Sequence, residues 1–172
     1  MLEFQEEQVA SVWDELYPLA QHHHQQSENY KRHEPFNPMR ERFERYNELG
    51  MFRLITARDK GLLVGYFGVY LVDSMHSQLP ILTEDTLYLA PSHRGGRNAM
   101  RFITFIERYF QREIPVEVLF SCEEDNRSGI QGLLKHLDYR PVITVFSKYL
   151  PARADSANQN HLEVAHVGTD TV

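Results

Sequence analysis

The stretch Leu87–Ile106, LYLAPSHRGGRNAMRFITFI, constrains this chain more than any other. A strand ends at Pro91, a short loop carries Arg94, Gly95, Gly96, Arg97 and Asn98, and an amphipathic helix starts at once. Ala99, Phe102, Ile103, Ile106, Tyr109 and Phe110 make its apolar face, with Arg101, Thr104, Arg108, Gln111 and Arg112 opposite. Glycines let backbone turn tightly and approach a ligand, and a new helix presents unpaired N–H groups at its positive pole. With Arg94, Arg97 and Arg101 added, the unit reads as a socket for a diphosphate. A plain tight turn is the other reading of a glycine pair before a helix.

The flanking segments supply a sheet and its cover. Residues 1–26 read as a helix, with Val9, Val12, Trp13, Leu16 and Ala20 on one face, and with Glu3, Glu6 and Glu7 suited to its positive end. Pro18 should bend that helix or end its regular part. Ser27–Pro38 is polar and holds two prolines, so it reads as a loop, and a shorter helix follows over Met39–Leu49, stopped by Gly50. Met51–Ala57 and Leu62–Val72 are rich in β-branched and aromatic residues and are joined at Asp59-Lys60-Gly61, a hairpin signature. Leu82–Ala90 is the third strand, Val116–Ser121 a short strand, Arg127–Leu137 a helix and Val142–Tyr149 a last strand. This order predicts an α/β (α+β) fold, a mixed and mostly antiparallel central sheet with helices on both faces. At 172 residues and 42% hydrophobic, the chain suits one such domain over residues 1–150, with a polar arm over 151–172.

Composition removes several functions. Cys122 is the single cysteine, which excludes an internal disulfide framework and a multi-cysteine zinc site and suits a reducing cytoplasm. No apolar run reaches the roughly 18 residues of a membrane span, and the acidic start is no signal peptide. A net charge of −6 argues against nucleic acid and favours cationic substrates. Three consecutive rings, His22, His23 and His24, cannot share one helical face, so they read as a solvated helix end and no metal site is expected. Cys122 reads as core packing rather than as a nucleophile. Glu123, Glu124 and Asp125 form a solvated loop or a cation-attracting strand end, and Tyr66, Phe67 and Tyr70 read as core with one side on a pocket.

The Arg94–Ala99 segment resembles the acetyl-CoA pyrophosphate loop of the GNAT N-acetyltransferase superfamily, whose pattern is Gln/Arg-x-x-Gly-x-Gly/Ala. Arg94 opens the pattern and Ala99 closes it, while Arg97 stands where the middle glycine belongs. The strand-proline approach and the element order over 1–150 are similar too. In texture, the helical front end and the MFRLITARDKGLLVGY hairpin look closest to acetyltransferases encoded by bacteriophages, which implies a host cytoplasm.

The resemblance implies direct transfer from acetyl-CoA to a primary amine, on a small molecule or a protein, in a ternary complex. It implies cofactor contacts from Leu89, Arg94, Gly95, Gly96, Arg97, Asn98 and Ala99, with the Leu89 N–H polarising the thioester carbonyl. Asn126 would meet the pantetheine arm, although N-capping explains it equally. A base is required in any case, because an alkylammonium with a pKa of about 10 is not nucleophilic at neutral pH. Asp85, six residues before Pro91, takes that place, with Glu84 as the neighbouring alternative. Strict alternation would put Asp85, Leu87 and Leu89 on one face and Glu84, Thr86 and Tyr88 on the other. The acceptor site is expected between the front helices, the Asp73–Pro80 loop and the strand end at Ser121.

One part of the pattern is missing. The tyrosine that protonates the leaving thiolate in this superfamily maps to Leu133 or Leu134, between anchors at Asn126, Gly129 and Asp138-Tyr139. Tyr139, Ser128 and Tyr88 are the remaining proton donors. The gap motivates an alternative, a catalytically reduced protein of the same fold that binds a host or partner protein. A homodimer is compatible with either reading.

Overall fold

Alternation of apolar and polar residues at the very start of the chain, Leu2-Glu3-Phe4-Gln5, is the pattern of an edge strand. In the computed structural model, which describes residues 1–27, 35–112, 117–122 and 129–145, Glu3–Glu6 forms β1 and not the first turn of a helix. Leu2 is buried, and the Phe4 ring stacks on Phe102 at 5.0 Å. The expected dipole role of the early glutamates gives way to ion pairing. Glu6 meets Arg53 and Tyr109, and Glu7 meets Arg58 at 2.9 Å.

Helix α1 spans Val9–Ser27 and runs through Pro18, which costs it one backbone bond without ending it. Val9, Val12 and Leu16 are buried, as their spacing predicts. The Val9 N–H finds its acceptor in Asn47 Oδ1 at 2.9 Å, while Asn47 Nδ2 donates to the Phe52 carbonyl at 3.0 Å. One buried amide thereby ties α1 and α2 (Arg40–Glu48) to the sheet. Strands β2 (Phe52–Asp59) and β3 (Leu62–Asp73) form the expected hairpin, with Lys60 at φ 51° and Gly61 at φ 85° in its two-residue turn. Then come β4 (Pro80–Leu89), a 3₁₀ turn at Pro91–His93, α3 (Asn98–Gln111), β5 (Glu117–Leu119) and α4 (Ile130–His136).

The sheet order is β1-β2-β3-β4-β5, antiparallel throughout except for the parallel β4–β5 pair. On one face Phe102, Ile106 and Phe110 of α3 pack on Ile55, Phe67 and Leu89. On the other, Val12 and Leu16 of α1, with Phe43 and Tyr46 of α2, cover Leu54, Tyr66 and Tyr88. The expected mixed sheet with helices on both faces is therefore the architecture. The chain divides into two compact units, Met1–Asp138 and Tyr139–Val172. All helices and strands above belong to the first. In the second, residues 142–145 carry no strand, so that part of the expected Val142–Tyr149 strand is not present, and 146–149 lie outside the described residues. Among the described residues no helix is long and apolar enough to cross a membrane.

Candidate active site

Strands β4 and β5 pair over only three positions, Ile81–Thr83 with Glu117–Leu119. Beyond them the ladder forks. The Ser121 N–H goes to the Glu84 carboxylate at 3.0 Å, so a side chain caps the split. Just past the end of β4, the Ala90 N–H donates to the Val64 carbonyl of β3 at 2.8 Å. Antiparallel ladders alternate, so the Leu89 N–H points to the other edge, the one β5 has left. Arg94 Nε donates to the Leu89 carbonyl on that edge at 2.7 Å, and its guanidinium carbon lies 5.4 Å from the Tyr88 ring centre.

Strict alternation fails along β4 at one residue. Thr86 pairs with Gly68 and Glu84 with Val69, which leaves Asp85 as an unpaired extra residue, a β-bulge. Leu87 and Leu89 pack with the α3 side, as expected from one another. Asp85, however, turns with Thr86 into a cavity on the α1–α2 side, so it does not share their face. Bulges re-aim side chains in this way, and no polarity pattern announces them. Gly68 opposite leaves the space, since a Cβ there would lie 2.8 Å from the Phe52 ring.

This cavity, about 280 Å³, is roofed by Trp13, Tyr17 and His23 of α1 and by Phe36. Phe43, Phe52 and Tyr66 close it from α2 and the sheet. The front helices line it, whereas the 73–80 loop and Ser121, named with them for the acceptor site, are not among the described residues that do. Burial and then the Asp85 charge push the Tyr70 hydroxyl up to about 12, so this neighbour stays protonated. Tyr66 lines the cavity while Phe67 is fully buried on the opposite face.

The histidine run is not a solvated helix end. His23 Nδ1 lies 3.0 Å from Tyr66 Oη and 3.1 Å from Thr86 Oγ1, and His22 Nδ1 lies 2.6 Å from Tyr88 Oη. His24 packs its ring on Phe36. Two successive helical residues reach the sheet because Tyr66 and Tyr88 stand side by side beneath them. Only the partners' positions could have revealed this, and those are set by strand register. Among the described residues no cluster of metal-ligating groups forms.

At the loop, Gly96 has φ +66° and needs glycine for its backbone. Gly95 does not have a positive φ, and a Cβ there would meet no atom within 4 Å. Arg97 is the exposed residue before α3, and Asn98 Nδ2 donates to the His93 carbonyl at 3.1 Å. The Arg101 guanidinium instead turns to the Phe4 ring, 5.7 Å away, leaving Arg97 and Arg94 as the cations at the loop itself.

No protein-family model matches the sequence, and no curated protein matches it either. Solved structures do match. An aminoglycoside acetyltransferase from an uncultured soil metagenomic sample, in complex with sisomicin, superposes with a TM-score of 0.71 at 12% identity, covering 87% of this chain and 97% of that one. The fold is that of the GNAT acetyltransferases. The ribosomal-protein-alanine N-acetyltransferase of Brucella melitensis biovar Abortus 2308 matches at a TM-score of 0.62 and 20% identity, over 86% of this chain and 99% of that one. AAC(6')-Iy, in complex with the bisubstrate analogue CoA-S-monomethyl-acetylneamine, matches at 0.63 and 12%, over 88% and 99%.

The position where the resemblance leads one to expect a general acid is apolar, with Leu134 buried on α4 and Leu133 partly so. Asn126, Ser128 and Glu123–Asp125 lie outside the described residues. Cys122 is exposed and not part of the core. What burial it has, together with the nearby Glu84 charge, pushes its thiol up, which leaves it a poor nucleophile.

Proposed function

We propose that the protein is an acetyl-CoA-dependent N-acetyltransferase that acts on a primary amine in a reducing cytoplasm. The observation that carries this reading is the β4–β5 fork, with the Leu89 N–H on its open edge and the Arg94–Ala99 loop directly after it. The residues present fit the cosubstrate. Gly95 leaves its loop open to a close backbone approach, and the first N–H groups of α3, from Asn98 and Ala99, have no intrahelical acceptor. Arg97 in the middle-glycine position adds a cation at that turn, and Asn126 is assigned to the pantetheine arm. Bound there, acetyl-CoA supplies the activated acyl group.

The Leu89 N–H stabilises charge that develops on the thioester oxygen. Asp85, four residues back along β4, accepts a proton from the incoming ammonium, relayed through a chain of waters between its carboxylate and the fork. The amine nitrogen then bonds to the acetyl carbon and releases its second proton to solvent, the carbon–sulfur bond breaks, and the thiolate takes a proton from solvent. Glu84 is engaged by the Ser121 N–H, and its role is to hold the fork open. Calorimetric titration with acetyl-CoA should show saturable binding, and the Asp85→Asn variant should lose about 10²-fold or more in transfer while binding acetyl-CoA unchanged. No binding in the millimolar range, or unimpaired transfer by the variant, overturns the proposal.

The apolar pair Leu133 and Leu134 favours a second reading, a scaffold that holds coenzyme A and a partner protein without turnover. Acetylated product from any amine in a broad panel, detected by mass spectrometry, rejects it.

A further inference from the structure

The cavity beside Asp85 is partly open to solvent and lined mainly by aromatic rings. Accepting that this cavity receives the amine, we infer that the acceptor is a monoamine borne on a flat, apolar body, an arylalkylamine, and not a polycationic aminoglycoside or polyamine. Aromatic rings dominate the walls: Trp13, Tyr17, Phe36, Phe43 and Tyr66, with Asp85 the single carboxylate among the described lining residues. The rings are contiguous, with Trp13 6.1 Å from Tyr17 and Tyr17 5.3 Å from Phe36, so a planar body would meet a continuous surface.

Each ammonium taken out of water needs a carboxylate or a ring face to replace its hydration. Among the described lining residues Asp85 is the one carboxylate, a match for one ammonium beside the rings. One ammonium on Asp85 with its hydrocarbon end against the rings satisfies both partners. Size suits a small acceptor, since about 280 Å³ lies just under the roughly 300 to 1,000 Å³ of small-molecule sites. Gly68 deepens the floor for the body, and the bulge supplies the charge beside it.

Trp13 is the only tryptophan in the chain, so its fluorescence reports occupancy without any need for turnover. The full-length protein is titrated with 2-phenylethylamine, its neutral analogue 2-phenylethanol, kanamycin and spermidine, and coenzyme A release from acetyl-CoA is followed in parallel. Phenylethylamine should give a saturable change, about tenfold tighter or more than phenylethanol. In Asp85→Asn that preference should collapse, with phenylethanol binding unchanged, which also shows that the variant is folded. Kanamycin or spermidine binding more tightly than phenylethylamine overturns the inference, as does a phenylethylamine titration without saturation into the millimolar range. Phenylethylamine that binds but is not acetylated leaves the pocket assignment standing and removes the acyl-transfer reading. Kanamycin acetylated in preference does the reverse.

Discussion

Replacing Gly95 with alanine separates a loop shaped for a ligand from a loop that is only a turn. Gly95 lies outside the left-handed region, and an added Cβ would find no protein atom within 4 Å. Among the described residues nothing therefore opposes the methyl group. The unfolded chain loses freedom, which stabilises the fold by about 0.4–1 kcal/mol. For a domain of this length each kcal/mol moves the melting temperature by about 2–4 °C, so Gly95→Ala should melt about 1–4 °C higher. Binding should move the other way. If backbone N–H groups of this loop hold a diphosphate, the methyl holds it off and weakens at least one charge-assisted hydrogen bond, each worth about 1.5–3 kcal/mol. The dissociation constant for coenzyme A should then rise about tenfold or more. Scanning calorimetry and isothermal titration of the same preparation give both numbers. A raised melting temperature with unchanged affinity would refute the phosphate-loop assignment, and a lowered one would refute the packing argument. Gly96→Ala is the instructive contrast. Its φ of +66° makes alanine cost about 1–2 kcal/mol in any case, so it tests the backbone and not the ligand.

Gly65→Ala should disturb the fork from within. Its Cβ would sit 2.8 Å from the Tyr88 carbonyl oxygen and 2.7 Å from Leu89 Cδ1, and a backbone oxygen cannot swing aside. We expect a loss of about 1–3 kcal/mol by calorimetry together with weaker transfer; an unchanged melting temperature contradicts the close approach. The Arg58 site should make the fold acid-sensitive. Burial works against the charge on Glu7, but hydrogen bonds from Arg58 and Thr56 outweigh it and hold the carboxyl below its ordinary value of about 4.5. Its contribution is complete above that value and is lost as pH falls through the lower folded one, so stability should drop below about pH 4.5. Denaturant titrations should show a smaller drop for Arg58→Met than for the parent; equal drops would remove the linkage. Cys122, exposed with its thiol pushed up, should react with iodoacetamide more slowly at neutral pH than a free cysteine, and Cys122→Ser should leave transfer intact.

Much of the fold was legible because local signals agreed. The 3.6-residue period of Phe102, Ile103, Ile106 and Phe110 gave α3, and Asp59-Lys60-Gly61 between β-rich runs gave the hairpin. β1 was hidden because four residues are too few to establish a period against the helical stripe that follows. The loop was readable from glycine and arginine, which act through local backbone and charge. The direction of Asp85 was not readable, because it depends on an extra residue set by cross-strand register. The contacts of His22 and His23 were hidden for a related reason. Their partners lie more than 40 positions away in β3 and β4, and which rings stand beneath α1 is a property of packing.

The unpaired residue in β4 makes the length of that strand a functional quantity. Removing one residue at position 85 would let the ladder close without interruption and would give the sturdier sheet. It would also take the carboxylate out of the cavity. Adding one residue between Thr86 and Leu89 would turn the N–H at the fork back toward β3. Substitution along this strand is therefore a gentler change than any shift in its count, and selection for stability alone would erase the irregularity on which the chemistry rests.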